Sequence, residues 1–197
     1  MTNKNNGDII NEVRYLREEK IMQPQLVMYW KNDGKAAPDF KVPENCSIVN
    51  YTELDGAMEK WLDIVQYGLS EGKKGEEYYH ECMTALPAYE EDKCFFILEA
   101  GVAVATITVV CDYEKKEGIV HMVACHESAR GKGYGTLLTM IALSVLKKEG
   151  MEKARLKTDD WRVPAIKTYL RIGFEPDLST EDYVERWNKI YEVIGKK

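Results

Sequence analysis

The stretch Arg130-Gly131-Lys132-Gly133-Tyr134-Gly135 constrains the fold more than any other part of the chain. Ahead of it lies Ile119-Val120-His121-Met122-Val123-Ala124-Cys125, a β-branched run that reads as a strand buried on both faces. Behind it, residues 136–149 read as a helix. A strand that enters a glycine turn and opens a helix can hold a phosphate. Glycines let the backbone approach, free N–H groups at the helix start face the anion, and the helix dipole adds attraction. Arg130 and Lys132 add full positive charges. An ordinary strand-to-helix turn with exposed cations is the plainer alternative. Three glycines at alternate positions with cations between them favour the anion site.

Two nucleotide patterns fail here. A P-loop needs Gly-Lys followed by Ser or Thr, and Lys132 is followed by Gly133. The dinucleotide fingerprint needs Gly-x-Gly-x-x-Gly on the first strand of a parallel βαβ series. This spacing is Gly-x-Gly-x-Gly, past the middle of the chain.

The spacing Arg130-x-x-Gly133-x-Gly135 resembles the acetyl-CoA signature of the GCN5-related N-acetyltransferase (GNAT) superfamily. That signature is Gln or Arg, two residues, Gly, one residue, then Gly or Ala, between the fourth strand and the third helix. Ala165-Ile166-Lys167-Thr168-Tyr169-Leu170-Arg171-Ile172-Gly173-Phe174 resembles the family's next helix, with Tyr169 four residues after the alanine and a Gly-Phe that starts a strand. The resemblance covers residues 94–176, extends back to residue 46, and is absent from the first forty or so.

This resemblance implies an α/β fold with a GNAT-like mixed, mostly antiparallel sheet and helices on both faces. It implies an N-acetyltransferase that moves an acetyl group from acetyl-CoA to a primary amine of a small molecule or peptide by direct attack, with no metal. Arg130, Gly131, Lys132, Gly133, Tyr134, Gly135 and Thr136 would hold the coenzyme A diphosphate. Backbone groups of Val123, Ala124 and Cys125 would meet the pantetheine arm and the thioester. Tyr169 matches the tyrosine that acts as general acid beside the sulfur, and packing against the sheet is its structural alternative. His121, on the strand face shared by Ile119, Val123 and Cys125, is the candidate base. His126, Glu127 and Glu99 rival it, as do a water relay and a plain core histidine. An acyl-Cys125 route has no activated thiolate to support it. Where many relatives carry a cofactor-contacting asparagine this chain has Arg162. Either Asp160 caps the helix in its place, or Arg162 meets a phosphate or an acidic substrate.

The other regions are read from local patterns. At 197 residues and 45% hydrophobic content the chain has enough material for one sizeable core. We expect an extension over residues 1–44 and the acetyltransferase domain over 45–197. A formal charge of −6 argues against nucleic acid as the main partner. No apolar run reaches membrane-span or signal length, so no membrane is expected. Five scattered cysteines without a Cys-x-x-Cys read as free thiols in a reducing cytoplasm. Residues 1–10 read as disordered, 11–20 as a short charged helix, 25–30 as a strand and 32–43 as a loop. Residues 20–31 lengthen the sheet, cover the active site or join a homodimer.

From residue 47 the pattern is strand, helix, helix, three strands, helix, strand, helix, strand, helix. Thr52 is the expected cap of the first helix, which Gly68 and Gly72 end, and a second helix runs over 76–86 to Pro87. A tight hairpin turns at Ala100-Gly101. In the last helix, opened by Ser179 or Thr180, the stripe is Tyr183, Trp187, Ile190, Tyr191 and Ile194. Glu76, Glu77, Glu81, Glu90 and Glu91 with nearby aromatics would suit a cationic amine, or form a solvated helix face. A binding module that retains acyl-CoA but has lost catalysis is the alternative to the enzyme.

Overall fold

The computed structural model describes residues 23–35, 39–70 and 72–195. Seven strands and five α-helices follow one another as β1 (Leu26–Lys31), β2 (Cys46–Asn50), α1 (Ala57–Val65), α2 (Glu76–Tyr79), β3 (Cys94–Glu99), β4 (Val102–Asp112), β5 (Glu117–Cys125), α3 (Tyr134–Lys148), β6 (Lys153–Thr158), α4 (Val163–Ile172), β7 (Glu175–Pro176) and α5 (Glu181–Ile194). The strands form one mostly antiparallel open sheet in the order β2-β3-β4-β5-β6-β1-β7. The expected order of elements is therefore present, and residues 25–30 do lengthen the sheet. The helix expected over residues 11–20 and the disorder expected over 1–10 fall outside the described residues.

By packing, the chain forms two compact units, one being Lys31–Arg155 and the other Leu156–Lys197 with the segment up to Trp30. In the first unit β4 is the axis, and all its residues but the two ends are buried. One face of β3–β5 carries Cys94, Phe96 and Ala124, packed against Ala57, Trp61, Ile64 and Val65 of α1 and against Tyr79 and Met83. Those α1 positions recur at helical spacing, so a single stripe enters the core, and each large apolar side chain buried there contributes about 1.5–3 kcal/mol. The other face receives α3, and a Cβ added to Gly118 of β5 would lie 2.0 Å from Leu146 Cδ2. Only glycine lets helix and strand close to that distance.

Local chemistry moved several boundaries. Thr52 caps nothing. Asn50 caps a short 3-10 turn, Tyr51–Glu53, and Glu53 returns the bond to the Asn50 N–H, completing a capping box. The helix then starts at Ala57, because Gly56 takes a left-handed conformation (φ 61°) that redirects the chain. The second helix keeps α geometry for Glu76–Tyr79 only and widens into a π-turn over His80–Thr84. The helix after the glycine loop starts at Tyr134, two residues before the expected Thr136. Cys94 and Cys111 are buried, the other three cysteines half-buried, and all are free.

In the second unit, Thr180 caps α5 by accepting from the Tyr183 N–H, and Pro164 sits in the first turn of α4. The stripe of α5 is rotated from expectation. Arg186, Trp187, Ile190 and Val193 are buried, whereas Tyr183, Tyr191 and Ile194 are half-exposed. An arginine in the buried stripe escapes a search for apolar periodicity, and its ion pairs explain why it is there. Arg186 Nε and Nη2 donate to both oxygens of Asp160 at 3.0 and 2.5 Å, Nη1 donates to Asp182 at 3.2 Å, and Nη2 also donates to the Pro24 carbonyl at 2.9 Å.

Candidate active site

Five consecutive backbone N–H groups, from Gly131 to Gly135, have no hydrogen-bond acceptor among the described residues. The bonded donors begin only at Thr136 and Leu137, both of which donate to the Gly133 carbonyl at 3.0 and 3.1 Å. Gly131 and Gly133 have φ of 79° and 85°, left-handed values that a side chain would resist. No atom lies within 4 Å of where a Cβ would stand on Gly131, Gly133 or Gly135, so open space surrounds these glycines. The fifteen residues of α3 stand directly behind them. This is a row of unbonded donors at the positive end of a helix, an arrangement suited to an anion.

The charged side chains of the loop are not equivalent. Arg130 is exposed and makes no ion pair among the described residues. Lys132 Nζ donates to both oxygens of Glu99, at 2.9 and 2.8 Å, and this hydrogen bonding, aided by the lysine's charge, holds the Glu99 carboxyl below its usual range. Tyr134 contributes a backbone donor only. Its side chain is buried, with the phenol 3.2 Å from Cys46 Sγ, and that contact followed by burial raises its pKa.

The strand before the loop is kinked. Against β4, Ala124 pairs with Thr106 and His121 with Thr108, so Met122 and Val123 together oppose Ile107. This is a β-bulge, and Met122 has φ 50° within it. Cross-strand partners share a face. His121 therefore lies on the face of Ala124, Thr106 and Thr108, and Cys125 lies on the other, beside Ala105. Strict alternation had put His121 and Cys125 together, and one extra residue reverses that. Ile119, His121, Met122, Val123 and Cys125 are only half-buried, contrary to a strand buried on both faces.

His121 is held through one nitrogen. Nε2 lies 2.9 Å from the Cys82 carbonyl, which can only accept, so Nε2 carries the proton and Nδ1 is the basic nitrogen. The Cys82 carbonyl is available because of the π-turn. The residue that would donate to it five positions on is Pro87, which has no N–H, and Leu86 donates to Met83 instead. Burial lowers the His121 pKa below 6.5, only partly opposed by the bond to Cys82. The imidazole is therefore neutral at pH 7. Among its rivals, Glu99 is engaged by Lys132, and His126 Nδ1 by Ser128, 2.7 Å from its hydroxyl. Glu127 is exposed. Burial pushes the Cys125 thiol up to about 11, the reverse of an activated nucleophile.

In the second unit Tyr169 is buried on α4, its ring 6.0 Å from that of Phe174. Asp160 does not cap α4. That helix has Arg162 at its N-cap without a side-chain bond, and Asp160 is committed to Arg186. Arg162 donates to Asp159 at 2.6 Å and lies 4.7 Å over the Trp161 ring. The glutamate group does not converge on one site. Glu76, Glu77 and Glu81 are exposed around an open cleft of about 530 Å³ with Lys74, Gly75 and Tyr78, whereas Glu90 pairs with Lys93. Neither the glycine loop nor His121 lines that cleft. Among the described residues no three metal-binding side chains converge, and no helix is long and apolar enough to cross a membrane.

The fold and the loop are those expected from the sequence motifs, and comparison with known proteins gives the family. The model of the Acetyltransferase (GNAT) family matches residues 59–174, more than half of the chain, and the chain belongs to that family of enzymes. Mycothiol acetyltransferases from Corynebacterium jeikeium and Nocardia farcinica are 33% identical over 64 residues and 34% identical over 68. These matches cover 32% and 34% of this chain, which thus spans only 19% and 22% of those relatives. A GCN5-related N-acetyltransferase from Sphaerobacter thermophilus superposes with a TM-score of 0.62 at 19% identity, over 83% of this chain and 52% of that one. At that identity the likeness shows the fold alone.

Proposed function

We propose that the enzyme transfers an acetyl group from acetyl-CoA to a primary amine of a small molecule or peptide, by direct attack. The observation that carries this is the row of five N–H donors from Gly131 to Gly135 at the start of α3. With Arg130, and with Thr136 following in the helix, these groups are suited to the diphosphate of coenzyme A. Bound there, coenzyme A supplies the acetyl group as a thioester. Val123, Ala124 and Cys125 contribute main-chain groups beside the bulge, and an N–H aimed at the thioester oxygen is a donor whose loss costs about 3 kcal/mol.

His121 Nδ1 takes the proton that the acceptor ammonium must lose before its nitrogen attacks the carbonyl carbon. Tyr169 is assigned as the acid through its place in the second sequence motif. Its phenol gives a proton to the departing sulfur, a reasonable match because phenol and alkyl thiol both titrate at about 9–10. The C–S bond breaks as the C–N bond forms, and solvent then takes the proton from His121 and returns one to Tyr169. Residues 45–197 carry the activity in this reading, with residues 1–44 as an extension. The free thiols suit a cytoplasmic setting.

Calorimetry with acetyl-CoA tests the binding half. Arg130→Ala and Gly133→Val should each weaken binding about tenfold or more, the second because valine resists φ 85°. Absence of acetyl-CoA binding, or binding indifferent to both changes, overturns the reading. Release of free coenzyme A in the presence of a panel of primary amines tests the chemistry. Tight binding without turnover of any amine would leave an acyl-CoA-binding module.

A further inference from the structure

We propose that Glu99 sets the affinity of the glycine loop for anions by occupying Lys132, so that Arg130 is the loop's effective cation. This rests on the loop being the diphosphate site. Lys132 Nζ is bidentate on the Glu99 carboxylate, at 2.9 and 2.8 Å. The carboxylate is the more sheltered partner, its side chain 21% exposed against 44% for the lysine. Its position is fixed as well. Glu99 ends β3, where it pairs with Cys46 on one side and Val102 on the other, and the adjoining Ala100 N–H donates to the Asn45 carbonyl at 2.8 Å. The Glu99 charge therefore stays beside the loop whatever arrives there, whereas the flexible lysine can leave it.

An arriving diphosphate meets free amide donors, one uncompensated guanidinium, and a carboxylate that both repels it and competes for the ammonium. Neutralising Glu99 removes the repulsion and releases Lys132 to the anion. Glutamine preserves the shape of the side chain without its charge, and the pairing that holds residue 99 is made by the main chain.

The test is calorimetric titration of inorganic pyrophosphate, and separately of acetyl-CoA, into the wild-type protein and three variants. Glu99→Gln should tighten both ligands about three- to fivefold, the size expected when a half-exposed ion pair is exchanged. Lys132→Met should weaken both ligands by no more than about three- to fivefold, since its charge is engaged in the free protein and only the bared Glu99 carboxylate is added. The double variant should lose the gain of Glu99→Gln. Unchanged or weaker binding in Glu99→Gln overturns the proposal, as does a large loss in Lys132→Met alone. If pyrophosphate responds as expected while acetyl-CoA does not bind, the proposal stands and the coenzyme reading falls. If acetyl-CoA binds without regard to Glu99, the reverse holds. Failure of both ligands to bind any of the four proteins overturns both.

Discussion

At the scale of single residues, His121 yields the sharpest prediction. Its pKa is lowered by burial below the ordinary 6.5, so the neutral base persists to more acidic pH than in a free histidine. The pH profile of kcat/KM should be flat through neutrality and fall on the acid side with an apparent pKa below 6.5. His121→Gln should abolish that limb. A limb at or above 6.5, or one that survives the substitution, removes His121 from the base role. Linkage has the matching sign. The unfolded chain takes up this proton more readily than the folded one, so His121 lowers stability as pH falls below 6.5 and is without effect above it. The sequence made His121 a candidate but gave it the wrong neighbours. No glycine or asparagine marks the bulge, and a methionine at φ 50° is invisible to pattern reading. Pro87, by contrast, was readable, and its missing N–H is what leaves the Cys82 carbonyl for the imidazole.

At the scale of elements, the contact between β5 and α3 depends on one absent side chain. Gly118→Ala would place a methyl 2.0 Å from Leu146 Cδ2 inside a buried seam. We expect a loss of about 1–3 kcal/mol in urea unfolding, and partial recovery in the double variant with Leu146→Ala. Equal stability of Gly118→Ala and wild type would show that the seam yields freely. The existence and type of these elements were legible because apolar spacing switches between two and about three and a half residues. The starts were less so, since Asn50 and Gly56 decide the entry to α1 through main-chain geometry that Thr52 only imitated. The glycine loop and its unbonded donors were legible, but the helix start at Tyr134 and the pairing of Lys132 with Glu99 were not.

Across the whole molecule, the order of strands and helices and the acetyltransferase family followed from two motifs and the rhythm between them. The acceptor did not, because the glutamates read as its mark do not converge, four being exposed and Glu90 half-buried on Lys93. Nor was the Arg186 cluster legible, since Pro24 and Asp160 are distant in sequence from Arg186 and from its helix neighbour Asp182. That cluster ties the segment before β1 to α5 in the second unit. Arg186→Met should cost about 3–5 kcal/mol in urea unfolding by stranding Asp160, with Asp160→Asn/Arg186→Met recovering part of the loss. A negligible loss in the single variant would mean that water already compensates the pair. The bulge at Met122 has its own bearing on how this protein tolerates change. It acts as a parity break in β5, and excising that single residue would invert everything upstream, swinging the imidazole to the layer of α3 and Gly118 away from Leu146. A one-codon deletion there should do more harm than any exchange of side chain at the same place.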